Sequence, residues 1–381
     1  MNLNETSLGN VAESIQTGPF GSQLHSSDYS EDGTPVIMPQ DIVNWNISED
    51  KIARVSEEHI NRLRRHKCKI GDIIYPRRGD LAKCAFITDR EEGWLCGTGC
   101  LKVTIDENKA IPKYVYFHLQ QTYSINCIEI ATVGSTMANL NTSILSKVKL
   151  RLPSLDVQKK VVDILSRYDE LITVNRKRIA ILEEMAMRTY REWFVHFRFP
   201  GHESCEFENG IPKGWKHCSV TDILDIRYGK DHKDIECGDF PIYGSGGIMR
   251  KGNRSIHKGK SVLIPRKGTL NNIMLVEGSF WCIDTMFYSI PKIRNIENLV
   301  YFQLSRYDMD ALNSGTALPS MTTKILSGIK VVVPTSDIRI KFDNFVDPIF
   351  TQISILRSSN YQLQQMRDRL LLQLMSGQLE I

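Results

Sequence analysis

Residues 153–198 read PSLDVQKKVVDILSRYDELITVNRKRIAILEEMAMRTYREWFVHFR. Taken in steps of four and three, this stretch gives Val161, Leu165, Tyr168, Ile172, Asn175, Ile179, Leu182, Ala186, Thr189 and Trp193. A stripe of that period is the seam of a long helix lying against another helix. At 1.5 Å per residue, roughly 40 helical residues make a rod about 60 Å long. Such a rod cannot bury its own stripe, so it needs a partner.

The same chain supplies one. A shift of 181 positions lays Gly134-Ser-Thr-Met-Ala-Asn-Leu-Asn-Thr-Ser-Ile-Leu-Ser-Lys-Val-Lys-Leu-Arg-Leu-Pro153 over the segment from Gly315 to Pro334 without a gap. It also lays Asp156 and Lys160 over Asp337 and Lys341. Carried forward, it places a second seam on Phe342, Val346, Ile349, Ile353, Leu356, Asn360, Leu363, Arg367, Leu370 and Leu374. Only Asn360 and Arg367 interrupt its apolar run. Shorter echoes support the repeat. Val262-Leu-Ile-Pro-Arg-Lys-Gly-Thr-Leu follows Ile73-Ile-Tyr-Pro-Arg-Arg-Gly-Asp-Leu, and Leu299-Val-Tyr-Phe-Gln-Leu follows Tyr114-Val-Tyr-Phe-His-Leu. A repeat dictates architecture, and here it consists of two long units.

The expected fold is α+β: two similar mixed domains joined by two long helices, with a pseudo-two-fold internal repeat. The first helix carries the chain from one domain to the other. The second must run back to bury its seam, so the pair is an antiparallel coiled coil. The expected boundaries are 1–152 for the first domain, 153–199 for the first helix, 200–335 for the second domain and 336–381 for the second helix. Strands are expected at Thr34–Met38, Asp72–Tyr75, Lys83–Thr88 and Leu101–Ile105, a helix at Ile111–Tyr123, and a last strand at Lys147–Leu152. Pro348 predicts a kink or restart, with Asp347 as cap and the proline in a new first turn. Gly377 would close the second helix. Asn175 and Asn360 fall on the seams, where a buried amide penalises wrong registers; a frayed, solvated edge would hold them equally well.

The chain has 381 residues, 41% hydrophobic and 24% charged, with a formal net charge of +4. These values describe an ordinary water-exposed polypeptide. No apolar run is long enough to predict a membrane span, and the N-terminus lacks the basic start and apolar core of a signal peptide. Nine cysteines at scattered spacings read as reduced thiols in a cytoplasm. Gly259-Lys260-Ser261 lacks the earlier glycine of a phosphate-binding loop, and Cys96 and Cys100 lack a second pair at metal spacing, so no metal site is expected. The chain has no Asn/Asp-Pro-Pro-aromatic tetrapeptide, no G-x-S-x-G elbow and no His-Glu-x-x-His, so no catalytic residue is assigned.

Nucleic acid is the polyanion the basic residues suggest. Arg77, Arg78 and Lys83 flank a turn after an expected strand, and Arg266 and Lys267 hold the matching turn of the second half. Turn-borne arginine can bind a guanine edge bidentately or grip phosphate; a solvated turn would carry the same residues. Arg64, Arg65 and Lys67, within a run from Arg62 to Lys69, form one basic segment. Arg250, Lys251, Arg254 and Lys260 form another, and both fit phosphate contact or a plain solvated face. Tyr243-Gly-Ser-Gly-Gly and Gly18-Pro-Phe-Gly-Ser would let backbone approach a phosphate, or would simply be turns. Trp193, Phe194, Phe197 and Phe199 crowd one end of the first helix, where either the second domain or another subunit must cover them.

In order along the chain stand TGPFGSQLHSSDY, Gly134-Ser-Thr to Pro153, VQKKVVDILSRYDELITVNRKRIAILEEMAMRTYREWF, GIPKGW and NYQLQQMRDRLLLQLMSGQLE. With the half-chain repeat, this order resembles the specificity subunit of type I restriction–modification enzymes over nearly the whole length. The resemblance implies two target-recognition domains that read the halves of a bipartite, asymmetric site in double-stranded DNA. It implies helices that set the spacing and dock modification (adenine methyltransferase) subunits, two of them, with Trp193, Phe194 and Phe197 offered as partner contacts. Restriction subunits are admitted as further partners, and no membrane is involved. S-adenosylmethionine would bind the modification subunit and ATP the restriction subunit, leaving this chain non-catalytic and without a cofactor. The first half lacks the Pro-x-Gly-Trp approach found at Pro212–Trp215, which implies a shorter start to that domain. The rival readings are a specificity subunit working without a separate restriction subunit, a DNA-modifying enzyme with an unread site, and a coiled-coil assembly protein without DNA affinity.

Overall fold

The two apolar stripes fold as helices of 40 residues each, Leu155–Phe194 and Ser336–Met375, in a computed structural model that describes residues 3–132, 139–312, 320–375 and 378–379. The repeat segments Gly134–Ala138 and Gly315–Pro319, and the expected stop at Gly377, lie outside the described residues. The chain divides into two units, Met1–Val174 with Asn360–Ile381, and Asn175–Ser359. Each unit therefore holds one mixed domain and a part of each long helix.

Helix direction follows from contacts inside each unit. In the first, the Arg367 guanidinium donates to Asp169 at 2.7 Å, and Leu371, Leu374 and Met375 share a core with Val161 and Leu165. In the second, Arg357 donates to Glu183 at 2.6 Å, and Ile349 and Ile353 share a core with Ala186 and Phe194. Residue numbers rise along one helix as they fall along the other, so the pair is antiparallel. Ile172, Asn175, Leu356 and Asn360 are buried, whereas Tyr168, Ile179, Leu182, Leu363 and Leu370 are half-buried. Arg367, the break in the second seam, stays half-buried because two carboxylates, Asp169 and Asp368, hold its guanidinium.

Pro348 does not restart the second helix, which runs unbroken from Ser336 to Met375. A proline removes one backbone donor and frees the carbonyl four residues earlier. Here both Pro348 and Asn344 are exposed, so the freed carbonyl belongs to a solvent-facing residue rather than to the buried seam. Asp347 is accordingly not a cap; it accepts from Lys260 and from Asn298 Nδ2.

The first domain is built on a four-stranded sheet in the order Ala12–Thr17, Cys100–Ile105, Ile73–Pro76, Ala85–Phe86. The second repeats it as Leu224–Tyr228, Met286–Pro291, Ser261–Pro265, Met274–Val276. Neighbours are antiparallel in both. One face of each sheet packs on a short helix, Pro112–Leu119 or Glu297–Leu304, and on the end of a long helix. The single helix expected at Ile111–Tyr123 ends at Leu119, and a second one follows at Thr122–Thr132.

Each domain is closed by an antiparallel pair of strands from its two ends, Asn4–Ser7 with Lys149–Leu152 and, after the short Phe207–Glu208/Ile211–Pro212 pair, Lys216–Ser219 with Lys330–Val333. Each long helix is then pinned at its start by one side chain. Gln158 donates to the Pro153 carbonyl at 2.9 Å and accepts from the Ile111 amide. The matching Arg339 donates to the Pro334 carbonyl at 2.7 Å and to the Arg294 carbonyl.

The second sheet of each domain shares one feature and then diverges. A parallel pair is common to both, Val36 beside Leu95 and Ile242 beside Trp281. Outside it, the first domain adds Ala53–Val55 and Tyr29–Ser30, whereas the second folds Phe240–Gly244 and Gly247–Gly252 into a hairpin and adds His257–Lys258.

Candidate nucleic-acid interface

The turn arginines sit at a junction that the two domains build alike. The Arg77 amide donates to the Gly99 carbonyl at 2.7 Å, and the Arg77 carbonyl accepts from Leu140 at 2.9 Å. The Arg266 amide donates to the Thr285 carbonyl at 2.8 Å, and its carbonyl accepts from Met321 at 2.9 Å. With the backbone fixed, both side chains turn inward. Arg77 Nε donates to the Leu140 carbonyl. The Arg266 guanidinium lies 4.7 Å from the Tyr228 ring centroid and 5.4 Å from that of Phe287, and donates to the Asp284 carbonyl. Both were expected to reach outward; stacking and carbonyl contacts hold them in. Arg78 and Lys267, the next residues, are exposed. Lys83 pairs with Asp80 at 2.8 Å across its own turn.

The basic run of the first domain rims an open cleft beside the edge strand Ala12–Thr17. Arg64 and Arg65 are exposed and Lys67 is half-buried. Below them Lys102, only 4% exposed, donates to the Lys67 carbonyl at 2.6 Å and sits 3.5 Å from Asp72. Asp72 also accepts from Thr104 and from the Lys69 amide. A buried charge pair is tolerated when its remaining hydrogen-bonding capacity is filled, and this one is. Burial, with Arg65 and Lys102 close by, holds His66 down to about 4, so it is neutral at pH 7. Nothing in the sequence singled out Lys102, which sits inside a strand otherwise reading as apolar.

The second basic run is divided by the fold. Lys251 and Arg254 are exposed. Arg250 folds back onto the His232 carbonyl. Lys260, expected on phosphate, is bound to Asp347 of the second long helix, with 17% of its side chain exposed. Its charge serves the attachment of that helix to its domain, alongside Asn295 and Asn298, which donate to the buried Asp343.

Gly18 and Gly229, each just after the edge strand of its main sheet, serve a close crossing of two chain segments. A Cβ on Gly18 would lie 2.0 Å from the Gly97 carbonyl oxygen, and one on Gly229 would lie 2.0 Å from that of Ile283. Gly18, expected either to bring backbone to a phosphate or to form an ordinary turn, has the space beside its Cα filled by the Gly97 backbone.

The aromatic end of the first long helix belongs to the second unit's own core. Phe194 meets Phe342 edge-on at 4.8 Å and Trp215 at 5.7 Å, Trp193 packs on Phe342 at 5.8 Å, and Phe197 meets Trp215 and Phe207. Of the two expected ways to cover these aromatics, the second domain packs on all three, burying Phe194 and leaving Trp193 and Phe197 half-buried. Trp215, at the end of GIPKGW, is the residue whose role sequence reasoning missed, although an unmatched aromatic beside an overcrowded helix end was its signal.

Comparison with known proteins gives a consistent picture. The family model described as the type I restriction modification DNA specificity domain matches residues 2–184 and 212–365. The type I restriction enzyme MjaIX specificity subunit of Methanocaldococcus jannaschii is 23% identical over 391 aligned positions, covering 91% of this chain and 87% of that protein. The HindI specificity subunit of Haemophilus influenzae is 18% identical, with 82% and 87% covered. The crystal structure of a type I restriction–modification system S subunit from M. genitalium superposes with a TM-score of 0.61 at 17% identity, covering 98% of this chain and 96% of that one.

Proposed function

The chain belongs to the type I restriction–modification DNA specificity family, and from that premise we propose that it is the DNA-reading subunit of a type I restriction–modification complex in the cytoplasm. Each domain reads one half of a bipartite, asymmetric site in double-stranded DNA. The antiparallel helices set the distance between the half-sites. They also dock two modification subunits, which carry S-adenosylmethionine and the adenine methyl transfer; restriction subunits, where they join, carry ATP and cleavage. This chain holds no cofactor and performs no chemistry itself.

One observation carries this reading: two domains share a main sheet, strand for strand, and differ in the outer sheet. A common frame bearing two different outer surfaces suits two different half-sites. Exposed cations on both domains, Arg64, Arg65 and Arg78 in the first and Lys251, Arg254 and Lys267 in the second, support backbone contact, which dominates affinity for duplex DNA. Exposed apolar side chains on the long helices, among them Leu171, Ile181, Met185, Ile355 and Met366, support protein docking there.

The test is methylation mapping in cells carrying this chain with its modification subunits. A single split site whose two parts differ is expected, with methylation lost when this chain is deleted. Methylation independent of this chain, or a continuous site, would refute the reading. Purified chain transferring labelled methyl groups alone would refute the non-catalytic assignment.

A further inference from the structure

The outer hairpin of the second domain bears apolar side chains where solvent normally selects polar ones. Tyr243 faces Ile248 and Ile242 faces Arg250, so Met249 is the extra residue of a bulge. Bulges twist a ribbon and re-aim its side chains. Ile248 is 61% exposed and Met249 55%. The hairpin is held from behind: Asn272 Nδ2 donates to the Ser245 carbonyl at 2.7 Å, and Arg250 closes onto the His232 carbonyl. The first contact ties the hairpin tip to the loop that carries Lys267. In the first domain the corresponding strand, Thr34–Ile37, pairs instead with Ala53–Val55, so this hairpin is particular to one domain.

The charge around the apolar tip selects its partner. From Phe240 to Val276 the chain contains seven Lys and Arg residues and not one Asp or Glu. Asp347 pairs with Lys260 and Arg250 folds inward, which leaves Lys251, Arg254 and Lys267 exposed beside the tip, and a nucleic acid backbone matches such cations. A two-stranded ribbon also fits the major groove, where the thymine 5-methyl is the apolar group presented by a base edge.

Resting on the DNA-reading function above, we propose that this hairpin enters the major groove of the second domain's half-site, with Ile248 and Met249 against thymine methyls and Lys251, Arg254 and Lys267 on flanking phosphates. Ile248 and Met249 would then be specificity determinants, and the three cations affinity determinants.

The test uses the complex of this chain with its modification subunits, and duplexes carrying the mapped site. Replacing thymine by deoxyuridine in the second domain's half-site removes only the 5-methyl. Binding by the unaltered complex is expected to weaken about 5-fold or more on such a duplex. The double variant Ile248→Ala/Met249→Ala is expected to bind both duplexes equally weakly, and Lys251→Ala to weaken binding to both by the same factor while keeping the thymine preference. The altered side chains are exposed, so thermal melting should be unchanged; Met249→Gln, similar in size, gives a second variant. Indifference of the unaltered complex to the methyl, a half-site without an A·T pair, or a double variant with full affinity would overturn the proposal. Loss of the modification subunits from the double variant would overturn it in favour of a protein contact. An unaltered complex with no preferred duplex would instead overturn the reading on which it rests.

Discussion

Arg367 and Asp169, far apart in sequence, meet at 2.7 Å between the two long helices, and the arginine is held on its other side by Asp368. With side chains only 21% and 27% exposed, this pair fixes helix register more firmly than Arg357 and Glu183, at 65% and 48%. We expect Asp169→Ala to destabilise the first unit by about 1.5–3 kcal/mol, the range for a hydrogen bond to a charged group. Glu183→Ala should cost at most about 0.5 kcal/mol. Urea unfolding of the two variants decides; equal losses would show that burial does not set the value of these pairs.

Gly18→Ala and Gly229→Ala should each be strongly destabilising, by roughly 3 kcal/mol. In each case the obstacle is a backbone carbonyl within 2.0 Å of the new methyl, which cannot move without opening a sheet. The amides of both glycines are bonded at 2.9 Å, to Cys100 and to Met286. Gly21→Ala, with nothing within 4 Å, is the control and should be neutral in the same melting experiment.

Acid should weaken the first domain before carboxylates titrate. His118 is buried, its Nε2 accepts from the Arg151 amide at 3.0 Å, and its Nδ1 faces the Ser124 hydroxyl, which itself donates to the His118 carbonyl. Such a network requires the neutral ring. Burial and Arg151 hold it at about 4, below the ordinary 6.5. The unfolded chain therefore binds a proton that the folded chain refuses, so stability is intact above pH 6.5 and falls as pH drops toward 4. At most about 3 kcal/mol is at stake for this one group. Denaturation midpoints at pH 7.5 and 5 should differ, and His118→Gln should shrink the difference; an unchanged difference would remove the histidine from the account.

Adding one heptad to each long helix, at positions that keep the seam in phase, lengthens the rod by about 10 Å. The gap between half-sites should grow by about 3 base pairs at the axial rise of duplex DNA. Mapping methylated sites before and after measures it, and an unchanged gap would end the idea of the helices as a ruler.

The helices were legible in the sequence because 40 residues of one period leave no other economical burial, and the repeat because one shift of 181 carried both the segment before the helix and the helix seam itself. The strands Asn4–Ser7 and Ala12–Thr17 were not, because their side chains are mostly half-exposed and polar and show no alternation. Pro348 misled in the other direction. Its cost depends on whether the freed carbonyl reaches water, and its position off the seam, between Val346 and Ile349, was the clue. Charge is visible in a sequence but its partner is not. Lys260 and Arg266 looked like Lys251 and Lys267 until Asp347 and the Tyr228 ring were placed beside them.

The pairing of entry and exit strands in each domain has an evolutionary consequence. Asn4 lies across from Leu152, and Lys216 across from Val333, so the polypeptide enters and leaves each domain at neighbouring points about 5 Å apart. Everything between those strands is a closed excursion from the helical frame. A lineage can exchange one excursion for another while the helices receive the chain where they always did.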